Sequence, residues 1–359
     1  MLGNEHAIVM TATILLVCVG SAVAQKGGST PMTPWTRCSP SRSGNTARTG
    51  VADDIAWRNR LRQADDKMMQ GDFATAASMF IALAAEAERS GATAEQSGVV
   101  LSGLAMAYQA AGRYLDAERC FRCVLMLLEN GNPQGQICTL NRLMWLYLSS
   151  GQKDKAERIG KRIAGALATA PTAPDEERFA YWSHQAALDI TQKRYEAAEE
   201  VLGPALREAE RKLGAEHLLT AALLNMSGLL AVRQKKWLEA VGHYERALNI
   251  AIKLYGPDHP ESAKVLSNLA IVYGQAGMTR EAEEAFREAL NVMESRLGPN
   301  HPDVAWILAG RASLLRRLHR TNEAKALEKR VRTIMADNDA ANLLNQTVDV
   351  RSLNSQPRR

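Results

Sequence analysis

Three groups of residues in this 359-residue chain have types and spacings that could do chemistry. Cys120-Phe121-Arg122-Cys123 is a C-x-x-C pair, and Cys138 follows soon after. Together they could ligate a metal ion or cycle between thiol and disulfide. His217, His259 and His301 recur at intervals of 42 residues, a row that suggests metal binding. Ser150-Gly151-Gln152-Lys153 matches the Ser-x-x-Lys of acyl-transferring serine enzymes. Which chemistry survives depends on the elements that carry these residues.

Those elements repeat. The joint Leu254-Tyr255-Gly256-Pro257-Asp258-His259-Pro260 returns as Arg296-Leu297-Gly298-Pro299-Asn300-His301-Pro302, and in weaker form as Lys212-Leu213-Gly214-Ala215-Glu216-His217-Leu218. Between two joints lie Leu266, Leu269, Ala270, Tyr273, Gly277, Ala282, Phe286 and Ala289, at helical spacing. Sliding this pattern along the chain finds seven units starting near 57, 98, 137, 179, 221, 263 and 305. Their first small position holds Ala64, Ala105, Met144, Ala186, Gly228, Ala270 and Ala312. Their second holds alanine every time: Ala76, Ala117, Ala156, Ala198, Ala240, Ala282 and Ala324. A turn glycine is present as Gly71, Gly112, Gly151 and Gly277 and missing from the other three units. Small residues let two helices approach, and the large ones fill the seam between neighbouring pairs. Arg60 and Lys67 in the first unit, and Glu328 in the last, stand where apolar residues are expected, as suits end units that meet water.

The pattern resembles the tetratricopeptide repeat, and the 42-residue period with its Gly-x-x-His-Pro joint is similar to the kinesin-light-chain type. The resemblance spans residues 57–338 and implies an all-α, right-handed superhelical solenoid of about seven helix-turn-helix hairpins. We expect one elongated array, since a solenoid grows by adding units and has no single core.

In this frame the three chemical readings weaken. Equivalent residues of successive hairpins stand roughly 10 Å apart, whereas metal–ligand bonds are near 2 Å, so the histidine row reads as a structural device of the joints. A mid-helix C-x-x-C lacks the helix N-terminus that lowers a redox thiol's pKa and reads as small buried hydrophobes. A thiol redox or metal-binding protein using Cys120, Cys123 and Cys138 remains the alternative, and Cys38 has no evident partner. Ser150 falls in a tight turn without the accompanying motifs of its enzyme class. The expectation is a protein that is not an enzyme, with no catalytic residues, no metal ligands, no cofactor and no small-molecule substrate.

What remains is binding. The concave face is lined by first-helix residues three, four and seven apart. They include Ser102, Met106 and Gln109, then Asn141, Trp145 and Leu148, then Ser183 and Ala187. Asn225 and Leu229, Ser267 and Ile271, and Ala309, Ser313 and Arg316 continue the face. Kinesin-light-chain-like repeats hold extended peptides with groove asparagines, and Asn141, Asn225 and Asn268 are the candidates here, Asn268 one place off the register. An exposed Trp145 would anchor a peptide, and a Trp145 packed within the superhelix would not. The candidate partner-binding residues are Gln109, Asn141, Trp145, Ser183, Asn225, Ser267 and Arg316. The partner class is a protein or peptide held by a non-enzymatic scaffold or adaptor. The basic residues Arg316, Arg317, His319, Arg320, Lys325, Lys329, Arg330 and Arg332 make either a solvated end cap or a surface for an acidic segment.

The formal charge is +5, of which the repeat region carries only +3. That balance excludes a nucleic-acid groove, which needs clustered cations. Residues 7–24 form an uncharged apolar run ending in Ala22-Val23-Ala24, which reads as a secretory leader cleaved after Ala24 and places the protein outside the cytoplasm. Left uncleaved, the run would anchor a cytoplasmic regulator to the membrane, with Lys26, Arg37, Arg42 and Arg48 on its C-terminal side. Residues 25–56, rich in Ser, Thr, Pro and Gly, read as a flexible linker, and 339–359 as a flexible tail. Asn345-Gln346-Thr347 fits a glycosylation acceptor.

Overall fold

The computed structural model describes residues 55–129, 132–170 and 173–344. The leader, most of the linker with Cys38, and the Asn345 acceptor lie outside the described residues. Among the described residues there are fourteen helices and no strands. In chain order they are α1 (Ile55–Met69), α2 (Phe73–Arg89), α3 (Ala94–Ala110), α4 (Tyr114–Leu127), α5 (Pro133–Ser149), α6 (Lys153–Thr169) and α7 (Asp175–Thr191). They continue with α8 (Tyr195–Lys212), α9 (Leu218–Arg233), α10 (Trp237–Tyr255), α11 (Pro260–Gln275), α12 (Thr279–Leu297), α13 (Pro302–Arg317) and α14 (Thr321–Leu344). Consecutive pairs form seven hairpins in the register of the sequence repeat. The last helix runs six residues into the segment expected to be tail.

Each hairpin turns in the same way. The backbone N–H of Asp72, Arg113, Gln152, Arg194, Lys236, Met278 and Arg320 donates to the carbonyl five residues earlier, at 2.7–2.9 Å. The residue before each donor adopts a left-handed conformation: Gly71, Gly112, Gly151 and Gly277, and also Lys193, Lys235 and His319 with φ of 60–63°. This is the six-to-one closure of a Schellman cap. The three units without a turn glycine keep the conformation.

The alanine seam is closed. All seven second-helix alanines have zero solvent exposure. Where one partner is large the other is small. A Cβ on Gly228 would lie 2.8 Å from the Tyr244 ring, and one on Gly103 would lie 2.4 Å from the Phe80 ring. In hairpin three the sizes are exchanged, with Met144 at the small position against Gly160 at the large one, where an added Cβ would lie 3.2 Å from the Met144 methyl.

The histidines cap helices. His217, His259 and His301 each accept, through Nδ1, the backbone N–H two residues on, at 3.1–3.2 Å. Pro260 and Pro302 follow in the first turn of α11 and α13, where a missing N–H leaves no bond unmade.

The array is not elongated. The turn of hairpin one meets the joint before hairpin six, where a Cβ on Gly71 would lie 3.1 Å from the Pro260 ring. The turn of hairpin two meets the joint before hairpin seven, with His301 Nε2 3.0 Å from the carbonyl oxygen of Ala110. Both contacts join hairpins five apart, with four between them, so five units complete one superhelical turn. At about 10 Å per hairpin, the first-helix axes trace a circle about 16 Å across. Side chains bring a helix to roughly 10–12 Å in diameter, which leaves a lumen only about 5 Å wide.

Candidate interaction site on the inner face

The narrow turn explains why the inner stripe is buried. Of the residues expected to contact a partner, Gln109, Asn141, Trp145, Ser183, Asn225 and Ser267 are all buried, with Asn225 and Ser183 at zero exposure and Trp145 at 2%. Trp145 is therefore packed, not an exposed anchor. Its ring stacks on His184 of the next hairpin, with centroids 5.8 Å apart and planes 20° apart. Arg316 stands apart from this group: it is exposed and forms a forked ion pair with Glu328, 2.7 Å from Nη2 to Oε2.

Two asparagine arrangements cross the hairpins. Asn141 Nδ2 donates to the Glu177 carbonyl oxygen at 3.0 Å and to its carboxylate at 2.7 Å. Burial holds the Glu177 carboxyl above the usual carboxylate range, against the opposing pull of Asn141 and Arg142. Asn268 Nδ2 donates to Asn225 Oδ1 at 3.2 Å. Its offset of one residue places it beside Asn225 on the neighbouring helix.

Several buried polar atoms on the stripe have no hydrogen-bond partner: Gln109 Nε2, Asn141 Oδ1, Trp145 Nε1, Ser183 Oγ and both ring nitrogens of His184. Burial drives the His184 pKa down to about 3, so its imidazole is neutral near pH 7 and offers one donor and one acceptor. The sequence reading missed His184 because it occupies the register position of Arg142 and Asn268, one place beyond the stripe as first drawn.

The other chemical candidates resolve differently. Cys120 lies inside α4, and burial pushes its thiol up to about 12, opposite to the shift a redox nucleophile needs. Cys123 is also raised by burial. Both are free thiols, while Cys138 is disulfide-bonded. Among the described residues no group of three or more His, Cys, Asp or Glu could hold a metal ion. Ser150 Oγ donates to the Leu146 carbonyl oxygen within its turn, at 2.8 Å. In the last hairpin three basic residues form ion pairs: Arg316 as above, Arg320 with Glu283 and Glu323, and Arg330 with Glu294.

A superhelix of helical hairpins with an inner polar stripe defines the class: an α-solenoid of the interaction type. A family model for the tetratricopeptide repeat matches residues 177–251, 220–295 and 281–337. Residues 177–337 thus match the tetratricopeptide repeat, and the 42-residue period and His-Pro joints are similar to the kinesin-light-chain type. No curated protein matches. Among solved structures, NprR in complex with its cognate peptide NprX is 15% identical with a TM-score of 0.59, over 87% of this chain and 85% of that one. A Rap protein complexed with Competence and Sporulation Factor is 14% identical with a TM-score of 0.58, over 81% and 89%. BtubC (BKLC) from P. vanneervenii is 18% identical with a TM-score of 0.47, over 68% and 92%.

Proposed function

We propose that this protein is a non-enzymatic interaction scaffold that holds an extended segment of a protein or peptide along its inner face. The observation that carries this reading is the run of unpartnered buried polar atoms from Gln109 to His184. A buried donor or acceptor left unpaired costs about 1–3 kcal/mol, and a bound backbone, rich in both, would meet these groups. That NprR shares the fold and was solved with its cognate peptide, and a Rap protein with Competence and Sporulation Factor, supports the ligand class. A helix, roughly 10–12 Å across with its side chains, is wider than this lumen, so the partner segment would be extended.

The same proposal places the protein outside the cytoplasm. The apolar run 7–24 with its small-residue end, and a disulfide at Cys138, both support export to an oxidising compartment. Among the described residues no helix is long and apolar enough to cross a membrane.

The test is affinity capture with the full chain and its Trp145→Phe and Ser183→Ala variants. Each removes one unpartnered polar atom; Ser183→Ala nearly keeps the shape, and Trp145→Phe keeps an aromatic ring beside His184. Partners that bind the inner face should be captured several-fold less. An unchanged set of partners in unchanged amounts would remove the inner face from the account.

A further inference from the structure

The seven turns lie along one edge of the array, because every hairpin closes in the same way. In hairpins one and two that edge is covered by the joints that meet Gly71 and Ala110. Further along it is open. Lys193 and Arg194 in hairpin four, Lys235 and Lys236 in hairpin five, and His319 in hairpin seven are all exposed.

These three turns are the ones without glycine. Their left-handed position holds Lys193, Lys235 or His319, and a second basic residue follows each time: Arg194, Lys236 and Arg320. None of the glycine turns has such a pair; they read Gly71-Asp72, Gly112-Arg113, Gly151-Gln152 and Gly277-Met278. The left-handed conformation is costly for an L-residue and free for glycine, so the basic pairs stand on the open edge against backbone preference. Carboxylates neutralise the arginines: Arg194 pairs with Asp189, and Arg320 with Glu283 and Glu323. Glu196 and Glu239 are exposed just beyond the turns. The charge that the edge presents therefore comes mainly from Lys235 and Lys236, with Lys193 one hairpin width away, about 10 Å.

An apolar side chain stands among these cations. Leu238 follows Lys235-Lys236-Trp237 and is 78% exposed, more than any other large hydrophobic among the described residues. A lone exposed leucine needs no explanation. One at the tip of a turn, beside two lysines and a half-buried indole, suits a bilayer interface. There the leucine enters the boundary between headgroups and acyl chains, and the cations meet anionic headgroups. Tyr195, also half-buried, takes the place of Trp237 in hairpin four. The layout favours a surface over a narrow partner. With five hairpins to the superhelical turn, hairpins four, five and seven are spread around its end, and three tips rest on a plane. An acidic segment joining them would cross the turn of hairpin six, where Arg280 is already paired with Glu284.

We propose that this open edge is a membrane-docking surface: the turns of hairpins four, five and seven rest on an anionic bilayer, with Leu238 inserted among the headgroups. The attachment is peripheral and reversible, and it stands whether or not the inner face binds a peptide.

The test is sedimentation of the full chain with two kinds of vesicle, phosphatidylcholine alone and phosphatidylcholine with phosphatidylglycerol. The apolar run 7–24 adds equally to both, so the difference between them reports the edge. Binding should need the anionic lipid and fall steeply between about 0.05 and 0.5 M salt. Lys193→Gly and Lys235→Gly should each weaken it about fivefold, the worth of one cation near an anionic surface. Leu238→Ala should weaken it by at least about fourfold, the worth of one buried methylene. Both glycine variants copy the sister turns, so a loss of binding belongs to the charge and not to the fold. Equal binding to the two vesicles, or binding unchanged in Lys235→Gly or Leu238→Ala, overturns the proposal. Binding to soluble polyglutamate that matches the anionic vesicles and survives Leu238→Ala also overturns it, and makes the partner an acidic protein segment.

Discussion

At the scale of the residue, three turns carry strain that glycine would relieve. Lys193, Lys235 and His319 sit at φ of 60–63°, where four sister turns use glycine. The left-handed conformation costs an L-residue roughly 1–2 kcal/mol. Lys193→Gly and Lys235→Gly should therefore each raise stability, by about 1 kcal/mol, read from urea unfolding; a loss would show that the turns are held by their side chains. Cys120 makes a second case. With its thiol at about 12, it should resist thiol reagents at pH 8 until the chain is denatured, and rapid labelling of the native protein would revive the redox reading. The inner stripe yields the opposite kind of prediction. Ser183→Ala should leave the unliganded fold as stable or about 1 kcal/mol more so, since it deletes a buried polar atom with no partner, whereas Trp145→Phe should cost about 1–3 kcal/mol through the cavity it leaves beside His184. A residue kept at the expense of stability and needed for capture is one selected for binding.

At the scale of the element, each hairpin is a pair of matched volumes. Gly228 faces Tyr244, while hairpin four matches Ala186 with Leu202 at the same two positions. Gly228→Ala should destabilise by about 1–3 kcal/mol through overpacking against the ring, and Tyr244→Leu should rescue it by recreating the pair of hairpin four. Additive losses in the double mutant would disprove the pairing. Most of this level was legible in the sequence. The seven alanines and the Gly-x-x-His-Pro joint fixed the hairpin count, the register and the structural role of the histidines, because those features are local and repeat. The turn at Lys193, Lys235 and His319 was not legible, since it is imposed by the neighbouring helices against residue preference. The status of Trp145 was not legible either. Whether a stripe residue is open or packed depends on superhelical curvature, which sums small angles between hairpins and leaves no mark at any one position. His184 was missed for a local reason: it stands one register place beyond the stripe, at the position of Arg142 and Asn268.

At the scale of the whole molecule, the closure between hairpins one and six and between two and seven is the feature that sets the inner face. It is also sensitive to acid. His259 stacks on Tyr255 with centroids 4.7 Å apart, and its ring lies beside the Met69 backbone. Burial lowers its pKa from 6.5 to about 4, with Lys264 and Arg296 adding to the effect. Burial also lowers His301, partly offset by Asp303. Both imidazoles are neutral in the fold and take a proton sooner in the unfolded chain. Their stabilisation is thus complete above pH 6.5 and is lost as pH falls below it, for His259 down to about 4, at no more than about 1.4 kcal/mol per pH unit for each histidine. Unfolding midpoints should fall across that window, and His259→Asn, which keeps a capping side chain without the titration, should flatten the fall. The central claim is the closed turn itself. Gln70 and Asp258 are exposed residues beside the two faces of the contact between Gly71 and Pro260. Spin labels at Gln70→Cys and Asp258→Cys, in a chain whose free Cys120 and Cys123 are replaced by alanine, measure it directly. A closed turn gives a single narrow distance distribution below about 20 Å, within two hairpin widths. An open array places the labels about 50 Å apart, five hairpin widths, and that result would contradict the account.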